Sequence, residues 1–277
     1  MSSNLNLKKF NMDLISQDKV VLFIGKRNTG KSFLVKDLLY HNKDIPVGTV
    51  ISGTESANEF YTKIVPPIFI HDDYNDDIVG NLLRRQKKTK KKLNSEIKTS
   101  SYSNIKPHAF LILDDLMDSA KQWVKSQYIK YCFMNGRHVH LLFILTMQFA
   151  LGIPPELRAN VDYIFILREN IVSNRKRLYD HYAGMFPTFD IFQQVMDNCT
   201  EDYQCIVIDN CSQSNKIEDQ VFWYKAESHE PFKIGSSQLW NYNNKLYNNK
   251  YDSDSDERCL GKKSGKNSCR LNVKKMK

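Results

Sequence analysis

Short apolar runs of strand length recur along the first 226 residues, and each ends on glycine or a polar residue. They are Val20–Ile24, Ile45–Ser52, Ala109–Leu116, Val139–Gln148 and Val161–Glu169, followed by Gln204–Asp209 and Gln220–Ala226. Continuous rather than alternating apolarity over this length predicts strands buried on both faces, as in a mostly parallel sheet. Between them lie segments of helical period. Phe33, Leu34, Leu38 and Leu39 mark one helix, and a second is predicted from Asp76 to Ile97. A third is predicted over Lys121–Asn135, with Trp123, Val124, Ile129, Cys132 and Phe133 inward. Two more follow, over 174–186 and Thr188–Met196. Smaller pieces, a helix at Thr54–Tyr61 and a strand at Ile68–Ile70, fill the gap after the second strand. Strands alternating with helices predict an α/β fold with a central sheet flanked by helices. From about His229 the patterning fails, and NYNNKLYNNKYDSDSDER reads as a flexible tail. The expected organisation is an N-terminal extension over 1–19, one α/β domain over 20–228 and a tail over 229–277.

The residues that close these runs carry the candidate chemistry. The first run breaks into GKRNTGKS, spanning Gly25, Lys26, Arg27, Asn28, Thr29, Gly30, Lys31 and Ser32. This is the G-x4-G-K-[ST] pattern of a phosphate-binding loop: glycines let backbone N–H groups curl around phosphate oxygens, and the lysine adds a point charge. Ser32 can place its hydroxyl on Mg²⁺ while it opens a helix whose N-terminal dipole favours the anion. The run at 109–116 ends in Asp114 and Asp115, at the strand edge where ligands bind in open α/β sheets. That is a Walker B element. Asp114 is expected in the Mg²⁺ shell and Asp115 as proton acceptor or orienter of the attacking water, with a helix cap as its plain alternative. Gln148 closes the most apolar run, and its amide can both donate to a phosphate and accept from water. Nucleotide binding, with ATP and Mg²⁺, follows from the set.

Length and charge refine this picture. A chain of 277 residues with 41% hydrophobic content suffices for one large α/β domain. No run nears the ~18 apolar residues of a membrane span, and the polar N-terminus lacks an apolar signal core, so a reducing compartment is expected. Six cysteines without a C-x2-C pair agree with that, and zinc on Cys199, Cys205 and Cys211 would need unusual spacing. Arg84–Lys92 carries seven positive charges and 261–277 seven more; removing both from +9 leaves 9 − 7 − 7 = −5. A mildly acidic body with two basic segments suggests local contacts with a polyanion.

Taken in order, GKRNTGKS, LILDDL, NGRHVHLLFILTMQ and LRANVDYIFILRE resemble the DNA-packaging ATPases of nucleocytoplasmic large DNA viruses, the poxvirus type, within the FtsK–HerA group of P-loop motors. The resemblance implies an additional-strand, RecA/FtsK-like sheet, with the Gln148 strand between the loop strand and the Walker B strand. It implies an ATPase that moves double-stranded DNA into a capsid as a homo-oligomeric ring. It also implies action in the host cytoplasm, at the virus factory or with the virion, and docking to a capsid or inner-membrane protein. Gln148 is then the γ-phosphate sensor, and Arg137 the arginine reaching a neighbouring subunit's nucleotide, with Arg158 in reserve. Asp115 departs from the glutamate common in the wider group. A nucleoside or nucleotide kinase and a nucleotide-gated DNA-binding scaffold are the alternatives the residues leave open.

Overall fold

The computed structural model describes residues 7–116, 120–150 and 152–246. Nine strands form a single sheet: β1 (Lys8–Lys9), β2 (Val20–Ile24), β3 (Gly48–Ser52), β4 (Ile70–His71), β5 (Ala109–Asp114), β6 (Leu141–Met147), β7 (Tyr163–Ile166), β8 (Gln204–Asp209) and β9 (Val221–Lys225). Their spatial order is β1-β9-β8-β7-β2-β6-β5-β3-β4. Every pairing is parallel except those of β8, which runs against both β7 and β9. β6 lies between β2 and β5, as the additional-strand expectation requires. The helices are α1 (Lys31–His41), α2 (Glu55–Asn58), α3 (Asp76–Ser100), α4 (Ala120–Trp123), α5 (Gln127–Asn135), α6 (Pro155–Arg158), α7 (Val172–Tyr182), α8 (Phe189–Cys199) and α9 (Ser237–Leu246).

Continuous apolarity in the central strands has the expected cause. Successive side chains point to opposite faces, and both faces are covered. Leu22, Leu111, Phe143 and Ile164 meet Val79, Trp123, Ile129 and Phe192 on one face. Val21, Phe23, Ile112, Ile144 and Phe165 join Leu34, Val35 and Leu38 of α1 on the other.

Several expectations need correction. The single helix expected over Lys121–Asn135 is two, because the Ser126 hydroxyl accepts from the Tyr128 and Ile129 N–H groups and starts α5 afresh. The strand expected at Ile68–Ile70 begins only at Ile70, since Pro66 and Pro67 lead into a 3-10 turn over Pro67–Phe69. Helix α3 runs on to Ser100, beyond the Ile97 end that the pattern predicts. Of the expected N-terminal extension, residues 7–19 pack on the domain: Lys8–Lys9 pair with β9, and Phe10, Met12 and Ile15 are buried.

The boundary expected after residue 228 falls within ordered packing. Asp37, buried on α1, accepts from Tyr224 Oη at 2.7 Å and the Glu227 N–H at 3.0 Å. Its other oxygen lies 2.5 Å from His229 Nε2, and the His229 ring stacks on Tyr40 at 3.8 Å. Beyond it Ile234 is buried, Trp240 Nε1 donates to the Ile234 carbonyl, and Asn243 of α9 accepts from the Ile68 N–H. Of the expected tail, residues 247–277 lie outside the described residues, and with them the second basic segment, Cys259 and Cys269. Low local hydrophobicity hid this segment because a buried carboxylate, not an apolar stripe, anchors it.

Asp37 therefore ties the phosphate-loop helix to the segment after β9. Asp37→Ala strands the buried Tyr224 hydroxyl and the Glu227 N–H, and should lower unfolding free energy by about 3 kcal/mol. The denaturant midpoint should fall with an unchanged slope; a midpoint equal to wild type would show that the clamp contributes nothing.

Candidate nucleotide site

The loop between β2 and α1 is built by close backbone approach. The Gly25 N–H donates to the Met147 carbonyl of β6 at 3.0 Å. A β-carbon on Gly25 would lie 2.7 Å from Thr29 Oγ1 and 2.8 Å from Leu167 Cβ, so only glycine fits. Asn28 (φ 61°) and Gly30 (φ 101°) take left-handed conformations that reverse the chain into α1. Thr29 Oγ1 donates to the Lys26 carbonyl at 2.7 Å and closes the turn. Lys31 crosses the loop, with Nζ donating to the carbonyls of Gly25 at 2.6 Å and Lys26 at 2.8 Å. Burial lowers the Lys31 pKa, while Asp115 and Asp114 pull it upward.

Both acids stand at the end of β5, two strands away from β2, and β6 bridges the gap. Asp114 is only 5% exposed. Thr146 of β6 donates its hydroxyl to Asp114 Oδ1 at 2.6 Å and accepts the Asp115 N–H at 3.1 Å. Asp115 has left-handed φ (50°), which turns its carboxylate from the strand toward Gln148, whose amide nitrogen donates to Asp115 Oδ1. Burial raises the Asp114 pKa against the opposing hydrogen bond from Thr146 and the nearby Tyr61. The Tyr61 hydroxyl is buried close to Asp114 yet outside hydrogen-bond geometry.

These donors fit Mg²⁺. It takes hard oxygen ligands and keeps several waters, and Asp114 is a buried carboxylate with no ion pair among the described residues. Ser32, in the first turn of α1, would offer the second protein oxygen.

Sequence reasoning missed four residues around this centre. Thr146 is the bridge between the acids, and Tyr61 abuts Asp114. Glu169, just past β7, pairs with Lys26 at 2.7 Å. Burial opposes the Glu169 charge, but hydrogen bonds from Lys26, the Ile171 N–H and Asn174 outweigh it and hold the carboxyl below its ordinary range. Arg177 of α7 lines a cleft of about 220 Å³ together with Gly25, Gln148, Glu169 and Asn174. Glu169 carried a usable signal, since it closes an apolar run as Asp114 and Gln148 do; Thr146 is one hydroxyl inside an apolar run and carried almost none.

Arg137 is not brought into this site. It is exposed in the turn over Gly136–Val139 that precedes β6, whereas Gln148 follows β6. A seven-residue strand separates the two, or ~23 Å at about 3.3 Å per residue. At that far edge Gln86 of α3 donates to the carbonyls of Pro107 and Val139, both at 2.8 Å, which seats the basic stretch 84–92 beside Arg137, His138 and His140. Burial lowers the His140 pKa, and His108 and Lys90 lower it further. Arg158, expected in a loop, ends α6 with its guanidinium 5.5 Å from the Tyr182 ring centre. Cys199, Cys205 and Cys211 are not gathered into a zinc set, as their spacing leads one to expect: Cys205 is buried beside the Tyr224 carbonyl, while Cys211 lies past the far end of β8 near Asp162.

No protein-family model matches the chain. It is 40% identical over 256 residues to the uncharacterized protein L437 of Acanthamoeba polyphaga mimivirus, covering 91% of this chain and 88% of that one. It is 37% identical over 254 residues to the uncharacterized protein 075L of Invertebrate iridescent virus 6, covering 90% and 94%. Among solved structures, the genome packaging NTPase B204 of Sulfolobus turreted icosahedral virus 2, in complex with sulfate, superposes with a TM-score of 0.51 at 16% identity, over 78% of this chain and 100% of that one. EssC (ATPases 2 and 3) of Geobacillus thermodenitrificans gives 0.53 at 11% identity, over 88% and 44%. The fold is thus an α/β P-loop ATPase fold with a mostly parallel sheet.

The strained charge of Asp114 makes a prediction with a definite sign. A carboxyl whose folded pKa is raised binds more protons in the native than in the unfolded state between the two pKa values, so stability falls as pH rises through that window and stays lower above it. Asp114→Asn should therefore melt higher than wild type at pH 7 without nucleotide, while losing the thermal shift that Mg²⁺ and ATP give wild type together. Thermal unfolding with and without the two ligands checks both; an Asn variant still stabilised by Mg·ATP would remove Asp114 from the metal shell.

Proposed function

The chain belongs to the same family as the mimivirus protein L437 and the iridescent virus protein 075L, and from that premise we propose that it is a Mg²⁺-dependent ATPase that translocates double-stranded viral DNA into the capsid as a homo-oligomeric ring. One arrangement carries the proposal: Gln148 on Asp115, beside a buried Asp114, on the strand next to the phosphate loop. Lys31, released from the loop carbonyls, meets the phosphate oxygens that take their place. Asp115 and Gln148 share the orientation of the attacking water, the amide bonding the carboxylate before any substrate arrives. Mg²⁺ between Ser32 and Asp114 would neutralise charge on the phosphates. Hydrolysis in such sites rests on positioning and on charge stabilisation where water is excluded.

The DNA part of the proposal is supported by the far edge of the sheet. The stretch 84–92 brings seven positive charges to an otherwise acidic body, and it sits beside Arg137 and His138. The ring rests on the resemblance of the sequence motifs. Within it Arg137, ~23 Å from its own Gln148, meets a transferring phosphoryl group only on a neighbouring copy.

Three measurements check these statements. Wild-type ATP turnover should rise on adding duplex DNA, and Lys31→Ala should lose at least a hundredfold in rate while remaining folded; turnover indifferent to DNA would favour a kinase or a simple switch. With about five phosphate contacts, DNA affinity should drop by two to three decades between 50 and 200 mM salt, and glutamine at the basic positions of 84–92 should flatten that slope. Arg137→Ala should bind ATP but hydrolyse it about 10³-fold more slowly. Mixing it with Lys31→Ala should restore part of the activity through interfaces that combine the two intact halves; co-assembly without recovery excludes the trans arginine.

A further inference from the structure

Tyr203 is 65% exposed and makes no ring contact among the described residues, yet it is held beside the phosphate loop. A β-carbon built on Gly30 would lie 3.4 Å from Tyr203 Cδ1 and 3.9 Å from its Cβ, so the ring borders the loop just ahead of Lys31. The reversal of β8 produces this placement. Because β8 runs against β7 with Ile206 opposite Ile166, its first residues stand at the same sheet edge as the ends of β7 and β2.

The turn that delivers the ring is conformationally costly. Asp202 (φ 48°) and Tyr203 (φ 61°) are consecutive non-glycine residues in the left-handed region, a conformation uncommon for either and more so for a bulky side chain. Two contacts hold it: the Gln204 N–H donates to the Glu201 carbonyl at 2.9 Å, and Asp202 pairs with Lys225 of β9 at 2.6 Å. Glycine at 203 would relieve the backbone. Strain that keeps an unpaired aromatic in solvent, against a loop built for phosphates, is the kind found at ligand sites.

We propose that Tyr203 is the platform on which the base of the bound nucleotide stacks, and that the substrate class is therefore nucleoside triphosphates, with purines held more tightly than pyrimidines by their larger ring face and little discrimination between adenine and guanine. The inference rests on the phosphate-loop assignment above. Stacking uses the ring face, which every base offers, so it gives affinity without reading the base edge. Phe33, another exposed aromatic at the loop (67%), fits less well. It lies on α1 in ordinary helical backbone and already meets Phe60 edge-on at 6.4 Å.

The test compares ATP, GTP, CTP and tripolyphosphate, each with Mg²⁺, binding to the full chain. Tyr203→Ala should weaken ATP and GTP about tenfold or more, CTP less, and leave tripolyphosphate unchanged, whereas Tyr203→Phe should bind all four as wild type does. Tyr203→Trp should bind ATP and report it by a fluorescence change that tripolyphosphate does not produce. Equal losses for ATP and tripolyphosphate in Tyr203→Ala would mean that the ring only supports the loop, and the proposal would be wrong. It would be equally wrong if Phe33→Ala, and not Tyr203→Ala, showed the base-dependent loss, or if Tyr203→Ala bound ATP as wild type does. Tripolyphosphate binding to wild type marks the phosphate loop as sound whichever way Tyr203 falls; if wild type binds neither tripolyphosphate nor ATP, the phosphate-loop assignment itself fails and this inference with it.

Discussion

Parallel pairing of β6 between β2 and β5 is the constraint on which the site depends. Without it the phosphate loop and the Walker B acids would be adjacent strand ends with nothing between them. With it, one strand supplies the Met147 carbonyl that receives the Gly25 N–H, the Thr146 hydroxyl that joins Asp114 to the Asp115 backbone, and the Gln148 amide that meets Asp115. Three successive residues thus touch the loop and both acids. They can do so because strand residues alternate faces while the last one leaves the sheet and is free to turn.

A second dependence runs through α1. Its first turn carries Lys31 and Ser32 of the candidate site, and its middle carries Asp37, buried against Tyr224, Glu227 and His229. The segment after β9 is therefore packed on the helix that holds Lys31. A buried carboxylate with several donors is costly to disturb, so this contact adds to the apolar face in fixing α1.

Opposite edges of the sheet carry different chemistry. Loop, acids, Gln148, Glu169 and Tyr203 gather at one edge, while the basic part of α3, Arg137, His138 and His140 gather at the other. Such a separation is physically sensible. A phosphate-binding loop needs its positive charge matched to a small polyanion, and a nearby field of seven further cations would attract a large one to the same place.

Much of this was legible in the sequence because it rests on local rules. Uninterrupted apolar runs of strand length can bury only on both faces of a sheet, and G-x4-G-K-S needs its glycines where the backbone bends; both follow from residues adjacent in the chain. Asp114, Asp115 and Gln148 were legible for the same reason, being the polar residues that end or directly follow a buried apolar run. What the tertiary structure alone decided rests on partners distant in sequence. Thr146 matters because Asp114 is 32 residues away, and Asp37 because His229 is 192 residues away. Tyr203 borders Gly30 only because β8 runs backwards. The ordering of 229–246 escaped detection because a buried charge and a few aromatic contacts hold it, and neither has a period along the chain. Local pattern determines which residues must be buried or must bend; which buried polar groups then meet is settled only when the strands take their order.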